Sequence, residues 1–175
     1  HIIDAKALPG PSRDGLEDSM REGWERRLER ELKFLLAYLG DLSKGWHAKV
    51  GLDDVETYNW DWWARYGDEV VAELEAILST AFIGVAPDLA PVLAERLAIE
   101  YAQARAAALL KVDGDINVVK ATQARVRELV AHNIESGESL QSLQKSLRED
   151  FAFSRSRAES IARTETATAW GRGGL

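Results

Sequence analysis

Cysteine is absent from the 175-residue chain. That excludes disulfide scaffolds, thiolate zinc sites and cysteine nucleophiles, and it fits a reducing compartment. Also missing is any apolar run near the roughly 20 residues that span a bilayer. The most apolar stretch, 81–99, is interrupted by Pro87, Asp88, Pro91, Glu95 and Arg96, so no membrane association is expected. The N-terminus lacks both an initiating Met and the basic and apolar regions of a signal peptide. With His1 first and Gly-Arg-Gly-Gly-Leu last, a piece of a longer protein is expected.

Chemistry-bearing motifs are equally scarce. No Gly-x-Ser-x-Gly elbow occurs, and no glycine loop is placed to cradle phosphate, since Gly171–Gly174 has no helix after it. His1, His47 and His132 are widely separated and form no His-x-x-x-His pair. Asp113, Asp115 and Asn117 have the first three offsets of a calcium loop. Val118 then stands where glycine is needed and Ala124 where the bidentate Glu belongs, so a polar turn is the better reading. The chain is expected to carry no catalytic residue, no metal and no cofactor.

What is present describes a folded, globular chain: 46% hydrophobic and 29% charged residues, with a formal net charge of −7. The charge is unevenly spread. Residues 1–87 hold 10 Lys and Arg against 17 Asp and Glu, whereas residues 88–175 hold 12 of each. Three regions follow: an extended arm at 1–13, an acidic helical region at 14–87 and a second helical region at 88–175. An acidic body argues against wholesale nucleic-acid binding. The stretch from 151 onward is locally basic, with Arg155, Arg157, Arg163 and Arg172 against two Glu.

The periodicity is helical throughout. Leu16, Met20, Trp24, Leu28, Leu32, Leu35, Leu36 and Leu39 predict a helix over about 14–39, stopped by Gly40. A short helix is expected over 42–50, ended by Gly51. A long one is expected over about 55–83, capped by Asp53 and Asp54, with Gly67 as a weak point. Pro87 or Pro91 opens an alanine-rich helix to about 110. Helices over 118–135 and from Ser139 onward precede a hydrophobic bridge, Phe151-Ala-Phe153. Ser154 or Ser156 caps the last helix, Ser156 through a capping box with Glu159. No strand pattern appears. The expected fold is all-α, an elongated bundle of six or seven helices without a sheet.

Two stretches stand out as candidate contact sites. Trp60, Trp62 and Trp63, with Tyr66, crowd one segment, and a continuous helix would spread them over more than one face. Either one or two are buried with the third partly exposed, or the cluster presents an aromatic edge to a partner protein. The second stretch is the terminal helix. Its inward face is Ala158, Ile161, Ala162, Thr166 and Ala169, small enough for close approach of another backbone. Arg163 and Glu165, two residues apart, point to different sides and are expected to serve different neighbours. The plain alternative is a solvated helix with an exposed Glu159–Arg163 pair.

The residues Arg157-Ala158-Glu159 and Ile161-Ala162-Arg163-Thr164-Glu165, preceded by Gly137-Glu-Ser-Leu140, resemble the pattern of phage head-morphogenesis proteins, the Mu F-like minor head family. The likeness covers about 130–170, weakens over the alanine-rich helix and does not extend before residue 88. The family's following segment, with strands and an Asp-x-Arg stretch, is not included here. The resemblance implies a structural protein of a tailed phage or prophage, acting in procapsid assembly. It would act at or near the portal vertex inside the capsid, and in the host cytoplasm during assembly. Its implied partners are the portal protein, scaffold or major capsid protein. Two rivals remain. In one, Arg155, Arg157 and Arg172 contact phosphates of packaged DNA weakly. In the other, the chain is the helical leader of a toxin or transferase whose catalytic half lies elsewhere.

Overall fold

Ser12 starts the first helix, its hydroxyl accepting a hydrogen bond from the Gly15 N–H at 3.0 Å. The computed structural model describes residues 12–44, 49–85, 91–111 and 117–173. Among them are seven α-helices, one 3₁₀ turn and no strand. The protein is an all-α, multi-helix bundle. The expected arm lies outside the described residues except for Ser12 and Arg13.

Helix α1 (Arg13–Leu42) runs through Gly40, which was expected to end it, and closes at Ser43. The Ser43 hydroxyl donates to the Gly40 carbonyl, one of the last turn's otherwise unpaired acceptors. Of the helix expected at 42–50, residues 45–48 are not described. Gly51 starts the next element instead of ending one. It is the N-cap of α2 (Leu52–Thr57), and the Asp54 carboxylate accepts from its N–H at 2.7 Å.

The helix expected over 55–83 is two helices. Between α2 and α3 (Trp62–Val85) the chain turns at Tyr58–Asp61. The Asn59 side-chain carbonyl accepts from the Asp61 N–H, and the Asp61 carboxylate accepts from the Ala64 N–H. These are an Asx turn and an N-cap, the local bonds by which Asn and Asp compete with continued helix. Gly67 is no weak point, since α3 passes through it.

Helix α4 (Pro91–Leu110) begins at the second candidate proline and packs along α3. Ala98, Ala102 and Ala106 form its fully buried stripe. Helix α5 (Val118–Ser136) is capped by Asn117, which accepts from the Lys120 N–H at 2.9 Å, and ends at Gly137 in the left-handed region (φ 65°). Helix α6 (Leu140–Glu149) is capped by Ser139 as expected. The Phe151–Phe153 bridge is a 3₁₀ turn, and helix α7 (Arg155–Gly173) follows.

Helix α7 packs on both α1 and α3. One core cluster therefore takes Trp24 and Leu28 from α1, Leu74 and Ile77 from α3, Val126 from α5 and Ala162 from α7. The charge boundary at 87/88 separates two stretches of sequence that share this core. Gly173 shows how closely α7 approaches α3: a Cβ there would sit 2.5 Å from Ala81 Cβ.

The two exposed glycines near the C-terminal elements test these assignments in opposite directions. Gly137→Ala places a side chain in the left-handed region and is expected to cost about 1 kcal/mol. Gly171→Ala, in α7 with nothing within 4 Å of the added Cβ, is expected to gain a few tenths of a kcal/mol. Urea unfolding midpoints of the two variants should move apart.

Candidate functional site

The end of the chain is organised from Asp150 onward. Its carboxylate accepts from the Ala152 N–H at 2.9 Å, which winds the 3₁₀ turn, and is held by Arg125 of α5 at 2.8 Å. Ser154, not Ser156, then caps α7: its hydroxyl accepts from the Arg157 N–H at 3.2 Å. Burial pushes the Asp150 carboxyl up, but the Arg125 and Ala152 bonds outweigh it, so its pKa lies below the ordinary 3.8.

From this start, α7 presents two chemically different sides. Ala158, Ala162, Thr166 and Ala169 are fully buried, with Ile161 partly so. This is the small-residue face the sequence predicts. Glu165 is 3% exposed and is gripped by Arg105 of α4, through Nε at 2.7 Å and Nη2 at 2.9 Å. One guanidinium occupies both carboxylate oxygens, a geometry that holds position. The bond to Glu165 raises the Arg105 pKa against the opposing effect of burial.

Arg163 points elsewhere, as the spacing predicts. It donates to Glu159 one turn earlier at 2.8 Å, lies 3.8 Å from Glu17 of α1, and is largely exposed. Thr164 is exposed beside it; its backbone carbonyl accepts from the Thr168 hydroxyl. The Arg-Thr-Glu triplet thus has one member locked inward and two facing outward.

Arg157 corrects an expectation. Among the three arginines considered for phosphate, it is turned into the protein. Nη1 donates to Thr122 Oγ1 at 2.6 Å and to the Ala152 carbonyl at 2.7 Å, and Nη2 donates to the Val118 carbonyl. Burial lowers its pKa, with Asp150 opposing. It ties α7 to the start of α5 and has little surface left for a ligand. Arg155 and Arg172 are exposed, and Arg155 lies 4.0 Å from Glu25.

The tryptophan cluster follows the first of the two readings, with two members buried and one partly exposed. Trp60, Trp62 and Tyr66 are buried (6%, 0% and 1% exposed), which removes them as an interface. The turn at Tyr58–Asp61 is the reason: it takes Trp60 off the helix, so its indole N–H reaches the Val55 carbonyl at 2.6 Å while Trp62 enters the core. Only Trp63 stays partly exposed.

Sequence reasoning missed a buried ionic seam between α1 and α3. The Glu31 carboxylate, 1% exposed, accepts four bonds: from Tyr58 (3.0 Å), Tyr66 (2.7 Å), and Arg65 Nε (2.6 Å) and Nη2 (2.9 Å). Burial and this carboxylate together push both tyrosine hydroxyls well above their ordinary range. One turn before, Arg27 is 2% exposed and pairs with Glu73 at 2.6 Å, its guanidinium 4.7 Å from the centre of the Trp24 ring. Burial outweighs Arg27 and raises the Glu73 pKa. Gly23 makes room for that carboxylate, since a Cβ there would fall 2.2 Å from Glu73 Oε1. A signal was available: Arg27 and Glu31 continue the Met20–Trp24 stripe at helical spacing.

No family model, no curated protein and no solved structure matches the chain. Among the described residues, no group of three or more His, Asp or Glu is placed to hold a metal ion, and no helix is long and apolar enough to cross a membrane. Of the calcium-like offsets, Asp113 and Asp115 lie outside the described residues, and Asn117 serves as the α5 cap.

Two predictions follow from the geometry of α7. Glu165→Gln should destabilise the protein by about 2–4 kcal/mol, because it leaves the Arg105 charge poorly paired. Arg163→Ala, at an exposed pair, should change stability by at most about 0.5 kcal/mol. Chemical denaturation of both variants, with an Arg105/Glu165 double-mutant cycle, measures the difference. Asp150 carries a pH dependence. Its folded pKa is depressed, so its contribution is complete above pH 3.8 and is lost as pH falls through the lower, folded value. Asp150→Asn should cost about 1–2 kcal/mol at neutral pH and flatten the acid limb of a stability–pH profile.

Proposed function

We propose that the protein is a structural component of a tailed phage or prophage, a minor head protein that acts in procapsid assembly at or near the portal. The observation that carries this reading is the division of the Ile161–Glu165 segment. Glu165 is locked to Arg105, while Arg163 and Thr164 remain on the outer side of a helix seated against α1 and α3. A helix held this firmly offers a fixed polar edge to another protein, and rigid presentation reduces the ordering cost of association. The resemblance of this segment to the head-morphogenesis pattern supplies the partner class: portal, scaffold or major capsid protein. The site of action is then the capsid interior, reached from the host cytoplasm during assembly.

The rival in which arginines contact packaged DNA is less well supported. Arg157 is committed to Thr122 and two backbone carbonyls, and of the exposed arginines on α7, Arg155, Arg163 and Arg172, the first two lie beside acids of α1, Glu25 and Glu17.

The reading is tested by tagging the chain in its native genome, inducing particle production and separating procapsids by sedimentation. The tagged protein should travel with procapsids and be recovered with the portal protein under non-denaturing conditions. Recovery of the folded protein only as a free species, with neither portal nor scaffold, would overturn the assignment.

A further inference from the structure

Trp63 is held as a plate on the surface. Three of its ring carbons would lie 3.2–3.4 Å from a Cβ at Gly67, one turn later, so the absence of a side chain there lets the indole lie back on α3. The Lys111 ammonium, at the end of α4, stands 4.8 Å from its ring centre. The ring therefore already attracts a cation at this place.

Two hollows meet at this plate. One, of about 440 Å³, is bounded by Tyr58, Trp60, Asp61 and Leu110. The other, of about 500 Å³, is bounded by Asp68, Val71, Glu100 and Ala104. Both include Trp63 and Lys111, and together they make a groove along α3 and α4 with Trp63 astride it. Besides Lys111, the rim carries four acids: Glu56 is paired with Arg127, and among the described residues Asp61, Asp68 and Glu100 take part in no ion pair. An apolar floor, a tryptophan ridge and three carboxylates outside any ion pair suit a ligand that carries both apolar and cationic side chains.

We propose that the α3–α4 groove astride Trp63 is a docking surface for a basic, leucine-bearing segment of a partner protein. Its apolar side chains enter the two hollows against Trp63, Val71 and Ala104, and its lysines or arginines meet Asp61, Asp68 and Glu100. The inference goes beyond the head-assembly reading and stands on the groove alone.

The test is calorimetric titration of the full chain, at low salt, with an acetylated and amidated amphipathic peptide of leucine and lysine. A counter-peptide has glutamate in place of lysine. The lysine peptide should bind, with an affinity that falls as salt rises, and the glutamate peptide should not. Trp63→Ala and the triple variant Asp61→Asn/Asp68→Asn/Glu100→Gln should each weaken binding about tenfold or more. Asp61→Asn keeps the cap of α3. If Trp63→Ala fails to fold, Gly67→Ala, which lifts the ring from its seat, should give the same loss. Neutralising an equal number of exposed acids on α1, at Asp14, Asp18 and Glu22, should change the affinity less than about twofold. Absence of binding by the wild-type chain, equal binding of the glutamate peptide, or equal loss in the α1 control would overturn the proposal. Self-association of the chain that Trp63→Ala abolishes would assign the groove to a second copy instead. Either result leaves the portal co-purification to be judged separately.

Discussion

A single carboxylate, that of Glu31, sets how the first half of the chain is folded. It lies out of solvent on α1, and a buried charge is tolerated only when its lone pairs are taken up. Two tyrosine hydroxyls and one guanidinium do so, and they come from both sides of the turn at Tyr58–Asp61. A straight helix through that turn would carry Tyr58 away from Arg65 and Tyr66 and leave Glu31 short of donors. The break between α2 and α3, made locally by Asn59 and Asp61, is thus also what brings Tyr58, Arg65 and Tyr66 onto one acid. Arg27 and Glu73 pair a turn away with the charges exchanged between helices, although the Arg27 Nε has no acceptor among the described residues.

Helix α7 depends on the frame that this seam builds. It can come close to α1 and α3 because its inward side is alanine, threonine and glycine, and closeness makes its polar contacts short. Glu165 is buried and Arg157 partly buried, and they are satisfied differently. Glu165 has an opposite charge, whereas Arg157 donates to a hydroxyl and to carbonyls, with Asp150 as a more distant counter-charge. The first device fixes the helix against α4 and the second against α5. What remains outside is a polar edge whose position is set from within.

Much of this was legible from residue spacing. The all-α class, the capping of α6 by Ser139, the small-residue side of α7 and the opposed directions of Arg163 and Glu165 follow from helical geometry and from local side-chain bonds. The misreadings share a cause. Apolar periodicity marks a buried stripe by its hydrophobic members, so Arg27 and Glu31 were passed over although they sit on the stripe. The Tyr58–Asp61 turn was hidden in the same way, because aromatic residues on either side of Asn59 and Asp61 look like a continuing helix. Arg157 seemed available because partners 35 and 39 residues upstream cannot be read from a linear pattern.

Two indole N–H groups, on Trp24 and Trp62, are walled in at 0% exposure and have no acceptor among the described residues. Neither proton is protected by a bond of its own, so only the surrounding side chains keep water from it. Their exchange with deuterium would clock how often the interior parts, one from the α1 side and one from the mouth of α3. The molecule carries its own pair of stopwatches for breathing.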